Sequence, residues 1–230
     1  MSTPYALGCQ LIRILLRFAV VSKPLSLLSK VWLRHSRIQS HLRTFRFDGV
    51  IDGGANIGEF AHLVRDVLPR AHLVCVEPHP DCADRLRRIG FEVVPYALWH
   101  SSGTLTLSQP AAQSTSCTVL PTSAPKSSWA VEGIRLDELP IRGNRILVKL
   151  DLQGAEVEAV RGMDKLWPRC EALLLEVSIG ASGSYEVIRQ LLKQKGYSEY
   201  STVNELESMG RVAEADKLWV RSELLRSLED

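Results

Sequence analysis

Four carboxylates stand at the ends of short apolar runs: Asp52 after Val50-Ile51, Glu77 after Val74-Cys75-Val76, Asp151 after Ile146-Leu147-Val148-Lys149-Leu150, and Glu176 after Leu173-Leu174-Leu175. Such runs, β-branched or Leu-rich and too short for typical helices, read as buried strands. In an open parallel sheet the ligand crevice lies beyond the carboxyl ends of the strands, so these acids are expected on one rim although they are far apart in sequence. A carboxylate there can accept hydrogen bonds from sugar hydroxyls, hold an ammonium group, or take a proton from an alcohol.

The element that must position the first acid is a glycine-rich turn. Asp52 is followed by Gly53-Gly54-Ala55-Asn56-Ile57-Gly58, and Phe60, Leu63, Val64, Val67 and Leu68 then recur at helical spacing. The turn therefore joins a strand to a helix, which is the build of a nucleotide-type cofactor site. Glu77 follows about 20 residues later, where an acid can bind both hydroxyls of a ribose. Gly53-x-Ala55-x-x-Gly58 also approximates a dinucleotide fingerprint, so an NAD(P)-dependent oxidoreductase is an alternative. Asp52 argues against it, because a carboxylate beside a pyrophosphate is repelled. S-adenosylmethionine has no phosphate; its amino group suits an acid and its carboxylate suits the backbone N–H groups of the turn.

Several ordered segments carry a resemblance to a known family. Ile51-Asp52-Gly53-Gly54-Ala55-Asn56-Ile57-Gly58, Val76-Glu77-Pro78-His79-Pro80, Ile134-Arg135-Leu136-Asp137-Glu138-Leu139, Val148-Lys149-Leu150-Asp151-Leu152-Gln153-Gly154-Ala155-Glu156 and Leu175-Glu176-Val177-Ser178 appear in the order typical of FkbM-like methyltransferases. The resemblance covers about residues 47 to 195 and implies a class I, Rossmann-like α/β fold with a mostly parallel doubly wound sheet. It further implies transfer of a methyl group from S-adenosylmethionine, usually to a hydroxyl. Gly54 and His79 depart from the family, which commonly has a β-branched residue and Asn there.

On this reading the cofactor is held by Asp52, Gly53, Gly54, Ala55, Asn56, Gly58, Glu77, Pro78 and Asp151. Phe91–Leu98 is expected as a third strand whose end, Tyr96, Ala97 and Leu98, reaches the adenine. Asp151 is the first choice for general base, with Lys149 and Glu156 as further catalytic residues; Glu156 would orient the substrate or Lys149. His79 and His100 are alternative bases. Thr104–Leu107 is expected as a short strand, and residues 108–129, rich in Ser, Thr, Pro and Ala, as a long loop. That loop is expected to act as a substrate lid through Gln113, Ser114, Thr115 and Ser116. Gln153, Glu176 and Ser178 complete the substrate set, and the acceptor is expected to be a hydroxyl of a sugar, glycolipid or related secondary metabolite.

Length and charge divide the 230 residues into a basic amphipathic helical appendage, 1–46, and a methyltransferase domain, 47–230. Residues 1–47 hold eight of the 28 Lys and Arg and none of the 26 Asp and Glu, so the remainder is net negative. Arg13, Arg17 and Lys23 interrupt the N-terminal apolar run, which excludes a good spanning helix and a cleaved secretory signal. The segment is expected to pack as a helical cap, with peripheral membrane contact through residues 5–37 as the second reading and a non-catalytic, membrane- or partner-tethered module as a third hypothesis. The five cysteines form no Cys-x-x-Cys pair and are expected as free thiols in a reducing, cytoplasmic setting; no metal site and no nucleic-acid partner are expected.

Overall fold

The computed structural model describes residues 25–110, 117–121, 125–180, 183–208 and 211–229. The proposed lid residues Gln113, Ser114, Thr115 and Ser116, the first 24 residues and Cys9 lie outside them.

A helix α1 (Leu25–Phe45) leads into β1 (Gly49–Gly53), and the glycine turn connects β1 to α2 (Glu59–Val67). Two further units follow: β2 (His72–Val76) with α3 (Pro80–Arg88), then the short β3 (Glu92–Val94). After a side sheet come β7 (Ile146–Leu150), α4 (Glu156–Arg161), β8 (Cys170–Ser178) and α5 (Ser184–Gln194). The described chain closes with a hairpin of β9 (Tyr197–Ser208) and β10 (Arg211–Arg221), and α6 (Ser222–Glu229). The main sheet has the order β3-β2-β1-β7-β8-β10-β9. Its first five strands are parallel, while β10 runs antiparallel to both β8 and β9. Every residue of β1 and β7 is buried, as expected of central parallel strands covered on both faces.

Chain order reverses between β1 and β7, and this is the switch point where a ligand crevice opens. Register aligns the rim: Gly53 lies beside Val76 and Leu150, and Leu150 beside Leu175. Glu77, Asp151 and Glu176, each one residue further, therefore reach one edge as expected. One sheet face buries Ile51, Val148, Leu173 and Leu175 against Val160 of α4 and Ile188 and Leu192 of α5. The other buries Val50, Leu147, Leu174 and Leu218 under Leu63 and Val64 of α2 and Ile38, Leu42 and Phe45 of α1.

Three expectations about the elements change. The C-terminal half of α1 is part of the domain core, so those turns do not belong to an appendage ending at 46. The third strand is split, because Pro95 has no N–H to give to a ladder: β3 pairs with β2, whereas β4 (Ala97–Leu98) pairs with β6 (Pro125–Ile134). Both ends of the region read as a loop, 108–110 and 125–129, are sheet, since β5 (Gly103–Pro110) runs antiparallel to β6 in the side sheet β4-β6-β5. In β6, Ser127, Trp129 and Val131 are half-buried and their neighbours exposed, a strand period hidden by Ser and Ala at alternate positions.

Leu42 is 1% exposed within this core. Leu42→Ala is expected to destabilise the protein by about 2–5 kcal/mol, read from the urea midpoint; an unchanged midpoint would show that α1 does not share the core.

Candidate active site

The glycine turn is fixed by the strands on either side of it. Gly54 and Ala55 N–H groups donate to the Val76 carbonyl (3.0 and 3.2 Å), and the Asp151 N–H donates to the Gly53 carbonyl (3.1 Å). Gly54 has φ +68°, and a Cβ there would lie 2.0 Å from the Asp151 carbonyl oxygen. Only glycine fits so close a backbone approach, which accounts for the departure from the family pattern at this position. Asn56 also has positive φ (49°), and its N–H donates to Glu77 Oε2 at 2.7 Å. The His79 N–H donates to Glu77 Oε1 at 2.8 Å. Glu77 is thus held by two amides with lone pairs left over; burial raises its pKa and the two N–H groups oppose that rise.

Asp52 is completely buried. Lys149 Nζ lies 3.0 Å from its Oδ1 and donates to the Gly53 and Gly54 carbonyls at 3.2 and 3.0 Å. Burial pushes the Asp52 carboxyl up and the Lys149 charge pulls it down. Strand periodicity explains the placement, because Asp52 falls on the same face as Val50, and Lys149 on the same face as Leu147. Asp52 lines none of the cavities described below, and its charge is engaged by Lys149. Its expected contact with a cofactor amino group gives way to a buried ion pair, and Lys149, expected among the catalytic residues, is the partner in that pair.

Two cavities meet at the switch point. The first, about 150 Å³, is walled by Gly54, Glu77, Pro78, Tyr96, Ala97, Leu98 and Gln153, with Leu107, Cys117 and Val119 from the side sheet and its hairpin. The second, about 330 Å³, is walled by His35 and Ile38 of α1, Glu59, Phe60 and Leu63 of α2, and Lys149, Leu174, Glu176 and Asp216 of the sheet. Gly54, Asn56 and Asp151 border both. An acid between apolar walls in the first suits a nucleoside, with the hydroxyls on Glu77 and the base against Pro78, Ala97 and Leu98. S-adenosylmethionine fits this donor set: the nucleoside end finds its acid, and Gly54, Ala55, Asn56 and Ile57 lead the turn into the second cavity.

Other expected residues separate. Gln153, at φ 54°, donates from Nε2 to Asp151 Oδ1 (3.0 Å) and Glu176 Oε2 (3.1 Å), while its carbonyl accepts from Thr118 Oγ1 (3.0 Å). Glu156 does not reach Lys149: its Oε1 accepts from the Leu152 N–H at 2.6 Å and the Gly154 N–H at 3.3 Å, so this buried carboxylate shapes the Asp151 loop. Ser178 lies outside the cavities and exchanges hydrogen bonds with Ser184 at the start of α5. His79 packs edge-on to Trp129, and His100 pairs with Glu158 at 2.8 Å, so neither borders the two cavities. Sequence reasoning missed His35, Ile38, Phe60 and Asp216; the last carries a usable signal, an acid two residues before core Leu218 in an alternating strand. Among the described residues no group of His, Cys, Asp and Glu is placed to hold a metal ion. The described cysteines Cys75, Cys82, Cys117 and Cys170 are free.

Lys149→Met would strand a buried carboxylate and is expected to cost about 3–5 kcal/mol of stability, whereas adding Asp52→Asn recovers most of the loss. Chemical denaturation of the two variants decides; a double variant no more stable than the single one would refute the ion-pair role.

The Methyltransferase FkbM domain model matches residues 52–199. Among curated proteins none matches this sequence. Solved structures that align include the methyltransferase FkbM from Methylobacillus flagellatus KT, at 13% identity and TM-score 0.49, covering 76% of this chain and 43% of that one. The chain thus spans less than half the length of that structure. The precorrin-6y C5,15-methyltransferase from Geobacter metallireducens GS-15 aligns at 14% identity and TM-score 0.46, covering 81% and 87% of the two chains. A TehB-like SAM-dependent methyltransferase from Corynebacterium glutamicum aligns at 7% identity and TM-score 0.47, covering 94% and 98%. With its motif segments, its glycine turn and more than half its length matched by the domain model, the chain belongs to the FkbM family of S-adenosylmethionine-dependent methyltransferases.

Proposed function

We propose that this protein transfers a methyl group from S-adenosylmethionine to a hydroxyl of a sugar, glycolipid or related small molecule. The observation that supports this reading most is that Asp151 borders both cavities, with a nucleoside-type wall on one side and a half-apolar chamber on the other. When bound, the cofactor supplies an electrophilic methyl group on a sulfonium centre.

The chain's own residues have two tasks. Placement comes first: Glu77 takes the ribose hydroxyls, the turn from Gly53 to Gly58 takes the amino-acid end, and Gln153 and Glu176 meet acceptor hydroxyls. Holding reacting atoms near contact contributes on the order of 7–11 kcal/mol. Proton removal comes second, since an alcohol is a weak nucleophile until its proton begins to leave; Asp151 accepts that proton, worth roughly 10²–10⁴ in rate. Ile38, Phe60, Leu63 and Leu174 form an apolar wall that limits water around the attacking oxygen.

Glu77→Ala is expected to weaken S-adenosylmethionine binding by about 1–3 kcal/mol; unchanged affinity by calorimetry would move the ribose elsewhere. Asp151→Asn is expected to keep most cofactor affinity and lose turnover. Labelled methyl transfer into sugar-containing extracts, with mass spectrometry of the product, measures that loss; retained turnover assigns the base to another group.

A further inference from the structure

The loop that carries Asp151 bends in a way its residues do not favour. Gln153 has φ 54° and Gly154 φ 103°, two consecutive left-handed residues of which only the second is glycine, and a residue with a side chain persists there only where its surroundings hold it. Two side chains hold this one. From the helix that follows, Glu156 Oε1 accepts from the Leu152 N–H (2.6 Å) and the Gly154 N–H (3.3 Å). From the side sheet, Thr118 Oγ1 donates to the Gln153 carbonyl at 3.0 Å.

Thr118 is itself fixed. Its N–H donates to the Ser108 carbonyl of β5 at 2.9 Å and its carbonyl accepts from the Ser108 N–H at 2.8 Å; Ser108 is buried. The Thr118 hydroxyl also accepts from the Leu120 N–H at 3.1 Å. A hydroxyl has one proton to give, and with a donor on its other side that proton is directed to the Gln153 carbonyl. Leu120 packs on the same loop, its Cδ1 lying 2.8 Å from where a Cβ of residue 154 would stand. On either side of Thr118, Cys117 and Val119 wall the first cavity. One short stretch thus lines the nucleoside site and grips the loop of the base.

We propose that Thr118 is a positioning residue, which sets the Gln153 backbone so that its side-chain amide is held between Asp151 and Glu176. Gln153 Nε2 gives its two protons to Asp151 Oδ1 (3.0 Å) and Glu176 Oε2 (3.1 Å). Those two bonds fix the rotation of the Asp151 carboxylate at the border of the two cavities, and they leave Gln153 Oε1 as the atom that accepts from a hydroxyl of the methyl acceptor. The consequence for proton removal rests on the reading of Asp151 as base. Without the Thr118 hydroxyl, Gln153 loses a restraint on its left-handed backbone, the amide swings, and Asp151 loses its orientation.

The test is hydrogen exchange of glutamine side-chain amides, read by NMR on the full chain labelled with ¹⁵N at glutamine. The Gln153 pair is the one lost in Gln153→Leu. The Gln190 pair, which donates to Glu186 Oε1 on α5, is the control. In Thr118→Val, close in shape but lacking the hydroxyl, the Gln153 amide is expected to exchange about fivefold faster, the effect of losing one ordinary hydrogen bond, with Gln190 unchanged. Thr118→Ser is expected to keep the wild-type rate. Turnover should fall in Thr118→Val and return in Thr118→Ser, with KM for S-adenosylmethionine within about twofold in both. An unmoved Gln153 rate in Thr118→Val, a Gln190 rate that rises with it, or a serine variant that behaves as valine overturns the proposal. If Thr118→Val does not fold, Thr118→Ala carries the same expectation. No methyl transfer enters the exchange measurement, so its failure leaves the methyltransferase reading intact, and absent transfer leaves the exchange result intact.

Discussion

The Lys149 ammonium group joins the two strands on which the crevice depends. Its neighbour in register is Asp52, and it reaches past that carboxylate to the carbonyls of Gly53 and Gly54. A buried ion pair is a poor source of net stability, since desolvating two charges consumes most of what their attraction returns. Its effect here is directional. With two carbonyls of the turn pointed at the cation and two amides bonded to Val76, the backbone can leave β1 by only one route, and that route carries Asn56 to Glu77.

From that constraint the rest of the site follows. The turn passes so close to the Asp151 carbonyl that position 54 has no room for a side chain. The same closeness makes Gly54, Asn56 and Asp151 a common partition between the two cavities. On one side Glu77 is presented with its amide bonds already made; on the other the sheet face changes from Leu174 and Leu218 to Glu176 and Asp216 within two residues. Helix α1 brings Ile38, a core residue, and His35 to the wall of the second cavity.

Much of this is legible in the residues. The apolar runs, their terminal acids and the glycine turn locate β1, β2, β7, β8 and the rim, because buried parallel strands and a strand–turn–helix leave strong local signals. Asp52 is misread for a reason also local in origin: it sits one position inside the strand, on the face of Val50, and an unpaired acid there would be intolerable. The matching clue is Lys149 inside an otherwise apolar run, a cation that needs a buried partner. Less legible are elements whose identity is set by distant packing. Only the partners Leu63, Val64 and Leu174 reveal that Leu42 and Phe45 are core, and only the β8–β10 register brings Asp216 to Glu176. In β6 the alternation exists, but Ser and Ala weaken it to the appearance of a loop.

Glu176 also sets a stability cost that the site imposes on the fold. A carboxyl whose folded-state pKa lies above its unfolded value makes the native state bind a proton that the unfolded chain has already lost. For Glu176 that window runs from about 4.5 to about 9, so its contribution disfavours the native state increasingly as pH rises through the window. Packing alone would favour an apolar residue at 216, continuing the face of Leu218 toward the rim. The acid found there is instead one of the causes that raise the Glu176 carboxyl, and a polar residue kept at the rim where an apolar one would pack is the pattern expected where stability is given up for chemistry.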